Sequence, residues 1–144
     1  MQRRDGANVL DEITLPARMD SIQALVDFVR SRAWEGAFED EKIKDIGLAV
    51  TEALENIIQF ACHDGSEEIT IKCTFYDAPA LGVDIIDTGE QFNMLISDAF
   101  PNTEDFLEPG PKPSLKMLKK GIKNIEYRRD PKNKTNILAL IIPK

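Results

Sequence analysis

Histidine is nearly missing from this sequence: His63 is the only one in 144 residues. A cluster of imidazole ligands is thereby excluded, and Cys62-His63-Asp64 is a run of ligand-type residues without a second group to complete a metal site. The two cysteines, Cys62 and Cys73, form no CxxC pair and carry no extracellular signature, so two reduced, packed thiols are expected instead of a disulfide. No apolar run approaches the ~20 residues that span a bilayer, and the amino-terminal MQRRDGANVL lacks the apolar stretch of a signal peptide. The expectation is a cytoplasmic protein with no membrane partner. Tryptophan occurs once, as Trp34 near a predicted helix end, where packing is the plain expectation.

What is present suits one compact domain over residues 1–144, with 42% apolar and 30% charged residues. The formal charge of −7 hides a division. Residues 112–134 hold nine Lys or Arg against two acids, about +7, while the remainder holds nine against 23, about −14. So acidic a chain fits broad duplex binding poorly, and nucleic acid is not an expected partner. The basic part is either a solvated face or a local seat for phosphate.

Residues 8–15 read as a strand closed by Pro16. Asp20 or Ser21 is placed to cap a helix running to about Trp34 with Gly36 beyond it, and Asp40 to open a second helix reaching about Cys62. Strands at 67–76 and 81–87 form a hairpin around residues 77–79. A short helix is expected near 93–99 within a long surface loop, 88–113, that contains four of the eight prolines between 101 and 113. A helix at 114–121 and strands at 122–129 and 134–142 complete the chain. This order predicts an α+β two-layer sandwich: a mixed, mainly antiparallel sheet packed on helices.

Asn56 is out of place in the second helix, because an amide there competes with the backbone and costs several tenths of a kcal/mol relative to Ala. On a helical wheel Ile46, Gly47, Val50, Leu54, Ile57 and Ala61 form the core stripe. Glu52 and Asn56 fall together on another side, one turn apart, beside Ala49, Ala53 and Phe60. Either they are solvated, or something docks on that small-chained flank. A second candidate ends the hairpin in VDIIDTGEQF, where Asp87 shares the inward face of Val83 and Ile85 and Gly89 follows. Asp-x-Gly is an ordinary turn, yet an inward carboxylate needs a donor and glycine admits close approach.

TEALEN, then two strands, then D-x-G-x-x-F ending in Phe92, together resemble the ATP-binding fold shared by histidine kinases, gyrase-type ATPases and anti-sigma-factor serine kinases. The resemblance covers residues 8–142 and is greatest to the small anti-sigma-factor kinases. It implies binding of ATP with Mg²⁺, and transfer of phosphate to an anti-sigma-factor antagonist protein. Partner switching on a sigma factor and homodimer formation are implied as well. Glu52 would be the general base, and Asn56 the Mg²⁺ ligand through its side-chain oxygen. Asp87 would accept from the adenine amino group, and Gly89 would let the loop pass the purine; Phe92 belongs to the same nucleotide-binding motif.

The resemblance lapses in the loop. Where the family has a glycine-rich G-x-G-L segment, this chain has Lys112-Pro-Ser-Leu115, so few backbone amides remain to hold a triphosphate. Ser114 and the cations Lys112 and Lys116 are then the candidate phosphate contacts, with Lys119 and Lys120 behind them. Phe60 stands where the family often has histidine. A catalytically degenerate binding module of the same fold is therefore the alternative to a kinase.

Overall fold

The computed structural model describes residues 7–76, 79–96 and 112–144. Strand β1 (Ala7–Pro16) leads through a 3-10 turn at Met19–Ser21 into helix α1 (Ile22–Glu35). Helix α2 (Asp40–Phe60) follows, opening with Asp40 and Glu41 against the positive end of its dipole. Strands β2 (Glu68–Tyr76) and β3 (Ala80–Asp87), helix α3 (Lys116–Gly121), and strands β4 (Asn124–Asp130) and β5 (Thr135–Pro143) complete the order. The tip of the β2–β3 hairpin at 77–78 and most of the predicted loop, 97–111, lie outside the described residues. Residues 97–99 of the helix predicted at 93–99 lie outside them too, and its described part is a turn at 94–95 with residue 96 helical.

The five strands form one sheet in the order β1-β2-β3-β5-β4, and each of the four pairings is antiparallel. Register aligns the inward residues into rows across β2, β3 and β5: Phe75–Leu81–Ile142, Cys73–Val83–Leu140, Ile71–Ile85–Leu138 and finally Ile69–Asp87–Asn136. The first three rows are apolar and join the buried stripe of α2 (Ile46, Val50, Leu54, Ile57) in one core. The fourth row begins apolar and ends in two polar residues, Asp87 at 1% exposure and Asn136 at 3%. Sheet register thus carries a carboxylate and an amide to one end of the covered face.

On the flank of α2 the small residues Ala49 and Ala53 are fully buried. What docks there is the chain's own α3: a Cβ on Gly121 would lie 2.9 Å from the Asp45 carbonyl oxygen and 3.5 Å from Ala49 Cβ. The side chain of Trp34 does not pack as expected. It is 71% exposed at the end of α1, because the apolar stripe of that helix runs through Leu25, Val26, Val29 and Ala33. Cys73 is buried, Cys62 half-buried, and both are free thiols. Burial pushes each up to about 12, Cys62 further under the charge of Asp87, so neither is a reactive thiolate at neutral pH.

Candidate functional site

Helix α2 aligns Glu52, Asn56 and Phe60 one turn apart. Glu52 and Asn56 both meet the segment at Ser114, and Phe60 meets the loop after β3. Glu52 Oε2 accepts from the Ser114 hydroxyl at 2.7 Å, and its Oε1 accepts from the Leu118 backbone N–H at 2.7 Å. That second bond satisfies one of the amides left open in the first turn of α3. Asn56 is 5% exposed. Its Nδ2 donates to the Ser114 carbonyl at 2.8 Å and reaches Met94 Sδ at 3.7 Å. A solvated position for Asn56 is therefore ruled out; the amide that looks costly within the helix binds the loop on which Ser114 sits. Phe60 stacks on Phe92, with centroids 5.5 Å apart and planes inclined by 20°.

The second group lies where β3 leaves the sheet. Asp87 Oδ1 accepts from the Gly89 N–H at 2.9 Å and from Asn136 Nδ2 at 2.9 Å. Burial pushes its carboxyl above the ordinary value, opposed by these two hydrogen bonds and by the charge of Arg129. Among the described residues no donor reaches Oδ2. A buried carboxylate with one oxygen satisfied and the other unmatched is suited to receive an N–H from a ligand.

Asn136 holds this corner together. Its Oδ1 accepts from the Tyr127 hydroxyl at 2.6 Å, the Phe92 N–H at 3.2 Å and Arg129 Nη1 at 3.2 Å, while Nδ2 also donates to the Glu90 carbonyl at 2.8 Å. Arg129 donates in turn to the Gly89 carbonyl at 3.1 Å. Neither Asn136 nor Arg129 is among the residues picked out from the sequence. The signal for Asn136 was the one used for Asn56: an amide interrupting an apolar element, here KTNILALII. We expect Asn136→Ala to cost about 2–4 kcal/mol, because it leaves buried donors and the Asp87 carboxylate short of partners. Urea unfolding measures this as a lower midpoint with an unchanged slope, and a loss below about 0.5 kcal/mol would contradict the network's structural role.

Gly89 has a steric reason of its own. A Cβ there would lie 2.3 Å from the Ala61 carbonyl oxygen and 2.8 Å from its carbon, and the Glu90 N–H donates to that same carbonyl at 2.9 Å. The loop after β3 thus runs against the end of α2, whether or not a ligand also passes it. Lys112, Ser114 and Lys116 are exposed. Of these, Ser114 is drawn into the Glu52–Asn56 group, with the two lysines flanking it in sequence. His63, on the turn after α2, pairs with Glu90 through Nε2 at 2.8 Å, and among the described residues no group of side chains could hold a metal ion through His, Cys, Asp and Glu alone. The structure therefore gathers Glu52, Asn56 and Ser114 at one end of the site, and Asp87, Gly89, Phe92 and Asn136 at the other. The Phe60–Phe92 stack and the Asn56–Met94 contact link the two ends.

Solved structures share this fold at low identity. The RsbU and RsbW domains of Rv1364c from Mycobacterium tuberculosis match with TM-score 0.64 and 14% identity over 94% of this chain, which spans 32% of that one. The SiaB–SiaC complex from Pseudomonas aeruginosa matches with TM-score 0.55 and 10% identity, over 96% of this chain and 91% of that one. The histidine kinase domain of the blue-light-activated kinase from Erythrobacter litoralis EL346 gives TM-score 0.54 and 18% identity, over 93% and 67%. A search of curated protein sequences finds no match. The profile of the histidine kinase-like ATPase domain matches residues 15–142, from the end of β1 to the end of β5, and the chain belongs to that family.

Proposed function

We propose that this chain is a small ATP-dependent protein kinase that phosphorylates a serine of an anti-sigma-factor antagonist and regulates transcription by partner switching. The observation that carries the nucleotide part is Asp87, buried to 1% with Oδ1 engaged and Oδ2 unmatched among the described residues. In this reading Oδ2 receives the adenine amino group, and the Phe60–Phe92 stack lines the approach. Asn56 holds Mg²⁺ through its amide oxygen. Its neighbours carry hard oxygens that would suit such a cation, the Glu52 carboxylate bonded to the Ser114 hydroxyl at 2.7 Å and the Ser114 carbonyl bonded to Asn56 Nδ2 at 2.8 Å. When bound, that ion neutralises charge on the phosphates. Lys112, Ser114 and Lys116 replace the missing glycine amides as phosphate contacts, and Glu52 takes the proton of the attacking hydroxyl.

That one fold relative was solved as a SiaB–SiaC complex accords with a protein partner in this reading. A sigma factor and a second copy of the chain complete the proposed partners. The setting is cytoplasmic, consistent with the lack, among the described residues, of any helix long and apolar enough to cross a membrane. A second reading, a binding module of the same fold without catalysis, is favoured by one observation: Ser114 occupies both Glu52 and Asn56.

Melting curves with and without nucleotide separate the two. Mg²⁺-ATP at one hundred times Kd stabilises a native-state binder by ~2.7 kcal/mol and is expected to raise the melting temperature by roughly 5 to 15 °C. Asn56→Ala should shrink that shift relative to its own nucleotide-free baseline. A melting temperature that ignores millimolar ATP would leave the binding module as the surviving reading.

A further inference from the structure

Ser114 makes a contact that the proposed reaction on a partner protein does not use. Its hydroxyl donates to Glu52 Oε2 at 2.7 Å, and its carbonyl is held by Asn56 at 2.8 Å. The hydroxyl bond is not a helix cap, because a capping hydroxyl accepts from a backbone N–H, whereas this one donates to a carboxylate. Leu115, not Ser114, stands at the N-cap position of α3. Hydroxyl and carboxylate at this separation are placed as nucleophile and general base. Ser114 is also exposed, so a phosphate attached there would be solvated.

We propose that Ser114 is a phosphoacceptor in cis, a modification site whose phosphorylation by the chain's own ATP site releases residues 114–118 from Glu52 and Asn56. This rests on the reading of Glu52 and Asn56 as part of that ATP site. In the transfer, a bond forms between Ser114 Oγ and the γ-phosphorus, and the bond from that phosphorus to the bridging β–γ oxygen breaks. The bonding electron pair leaves with ADP. The hydroxyl proton passes to Glu52 Oε2. The product sets a phosphate beside Glu52, and once the carboxylate gives up its proton the two like charges repel. Both bonds from Glu52 to this segment are then lost, and the exposed Lys116 and Lys120 offer the phosphate opposite charge nearby. A segment that closes on Glu52 and Asn56 becomes one that leaves them open to a hydroxyl from another chain.

Incubating the purified chain with Mg²⁺-ATP alone, followed by intact-mass measurement and peptide mapping, tests the site. Expected is one phosphoryl group on Ser114, acquired with a rate constant unchanged over about a tenfold range of protein concentration. Ser114→Ala abolishes the gain. Glu52→Gln keeps an oxygen to accept from the Leu118 N–H and slows the gain by at least about 100-fold. A rate constant that climbs with protein concentration would show transfer in trans and overturn the cis assignment. Thermal shifts run on the same samples separate the two failures. An ATP-induced shift without phosphate on Ser114 overturns this inference and leaves the ATP site intact, whereas no shift at all brings down the site itself and the inference with it.

Amide hydrogen exchange on nucleotide-free protein supplies the second readout. Ser114→Asp puts a negative charge beside Glu52, and the Leu118 amide should then exchange at least about tenfold faster than in Ser114→Ala, which retains the Leu118–Glu52 bond. Equal exchange in the two variants would overturn the release.

Discussion

Asp87→Asn is expected to abolish nucleotide binding and, at neutral pH, to make the protein more stable. The substitution is nearly isosteric and preserves what the fold uses: the remaining oxygen still accepts from the Gly89 N–H and Asn136 Nδ2, both now at 2.9 Å. Only the second oxygen changes, from an unmatched acceptor to an NH₂ donor. In the proposed contact with the adenine amino group that donor would repel where a carboxylate attracts, and a loss of at least about 100-fold in affinity is expected. Meanwhile the cost of burying a charge disappears. A gain of about 0.5–2 kcal/mol, the size common for a single stabilising substitution, is expected. Calorimetric titration with ATP and melting curves on the same preparation check both halves. Retained affinity would exclude Asp87 as the adenine acceptor, and a fall in melting temperature would show that its charge is matched in the fold.

The gain should also depend on pH in a defined direction. Burial raises the Asp87 carboxyl above its ordinary 3.8, so folding favours the protonated form. As pH rises through the window between 3.8 and the raised value, the folded protein holds a proton that the unfolded chain has lost, and stability falls across that window before levelling. Below it both states are protonated and the penalty is absent. The advantage of Asp87→Asn should therefore be full at neutral pH and vanish near pH ~4. Asp84 is also raised by burial, against the charges of Arg128 and Lys72, and it is present in both proteins, so it cancels from the difference.

What could be read from the sequence is what depends on residues close together in it. The stripe Ile46, Val50, Leu54 and Ile57 follows from a period of 3.6, and Val83, Ile85 and Asp87 from a period of two; all are buried where those periods put them. Helix ends shifted by a residue or two: α2 stops at Phe60, short of Cys62, and α1 reaches Glu35. Asn56 was conspicuous because an amide inside a helix carries a local cost, and that cost has a tertiary explanation in Ser114. The importance of Asn136 comes instead from register. Nothing within 134–142 states that β5 lies beside β3 with residue 136 opposite residue 87, since a sheet order of 1-2-3-5-4 is fixed by packing of the whole chain. The sequence marks Ser114 only as a candidate phosphate contact, through its place in the segment aligned with the family's glycines. Its bonds to two residues about sixty positions earlier were visible only in three dimensions.

Gly89→Ala carries a large expected loss of stability. At Gly36, Gly47 and Gly82 an added methyl would meet only side chains, which can rotate aside, but here it would meet backbone: the Ala61 carbonyl oxygen at 2.3 Å and its carbon at 2.8 Å. Ala61 is fully buried and its own N–H is bonded to the Ile57 carbonyl, so the end of α2 has little freedom to retreat. The loop must move instead. Doing so stretches the bond from Glu90 N–H to Ala61 at 2.9 Å, and that from Gly89 N–H to Asp87 at 2.9 Å. Arg129 also loses its hold on the Gly89 carbonyl. Overpacking against backbone together with weakened buried hydrogen bonds should cost about 2–4 kcal/mol, which for a chain of this size lowers the melting temperature by roughly 6 to 15 °C. The measurement is made without nucleotide, and that condition gives it force. If Gly89 served only to let a purine pass, the nucleotide-free protein would tolerate alanine with almost no change. A large loss under the same condition shows that the glycine is demanded first by the junction of β3 with the end of α2.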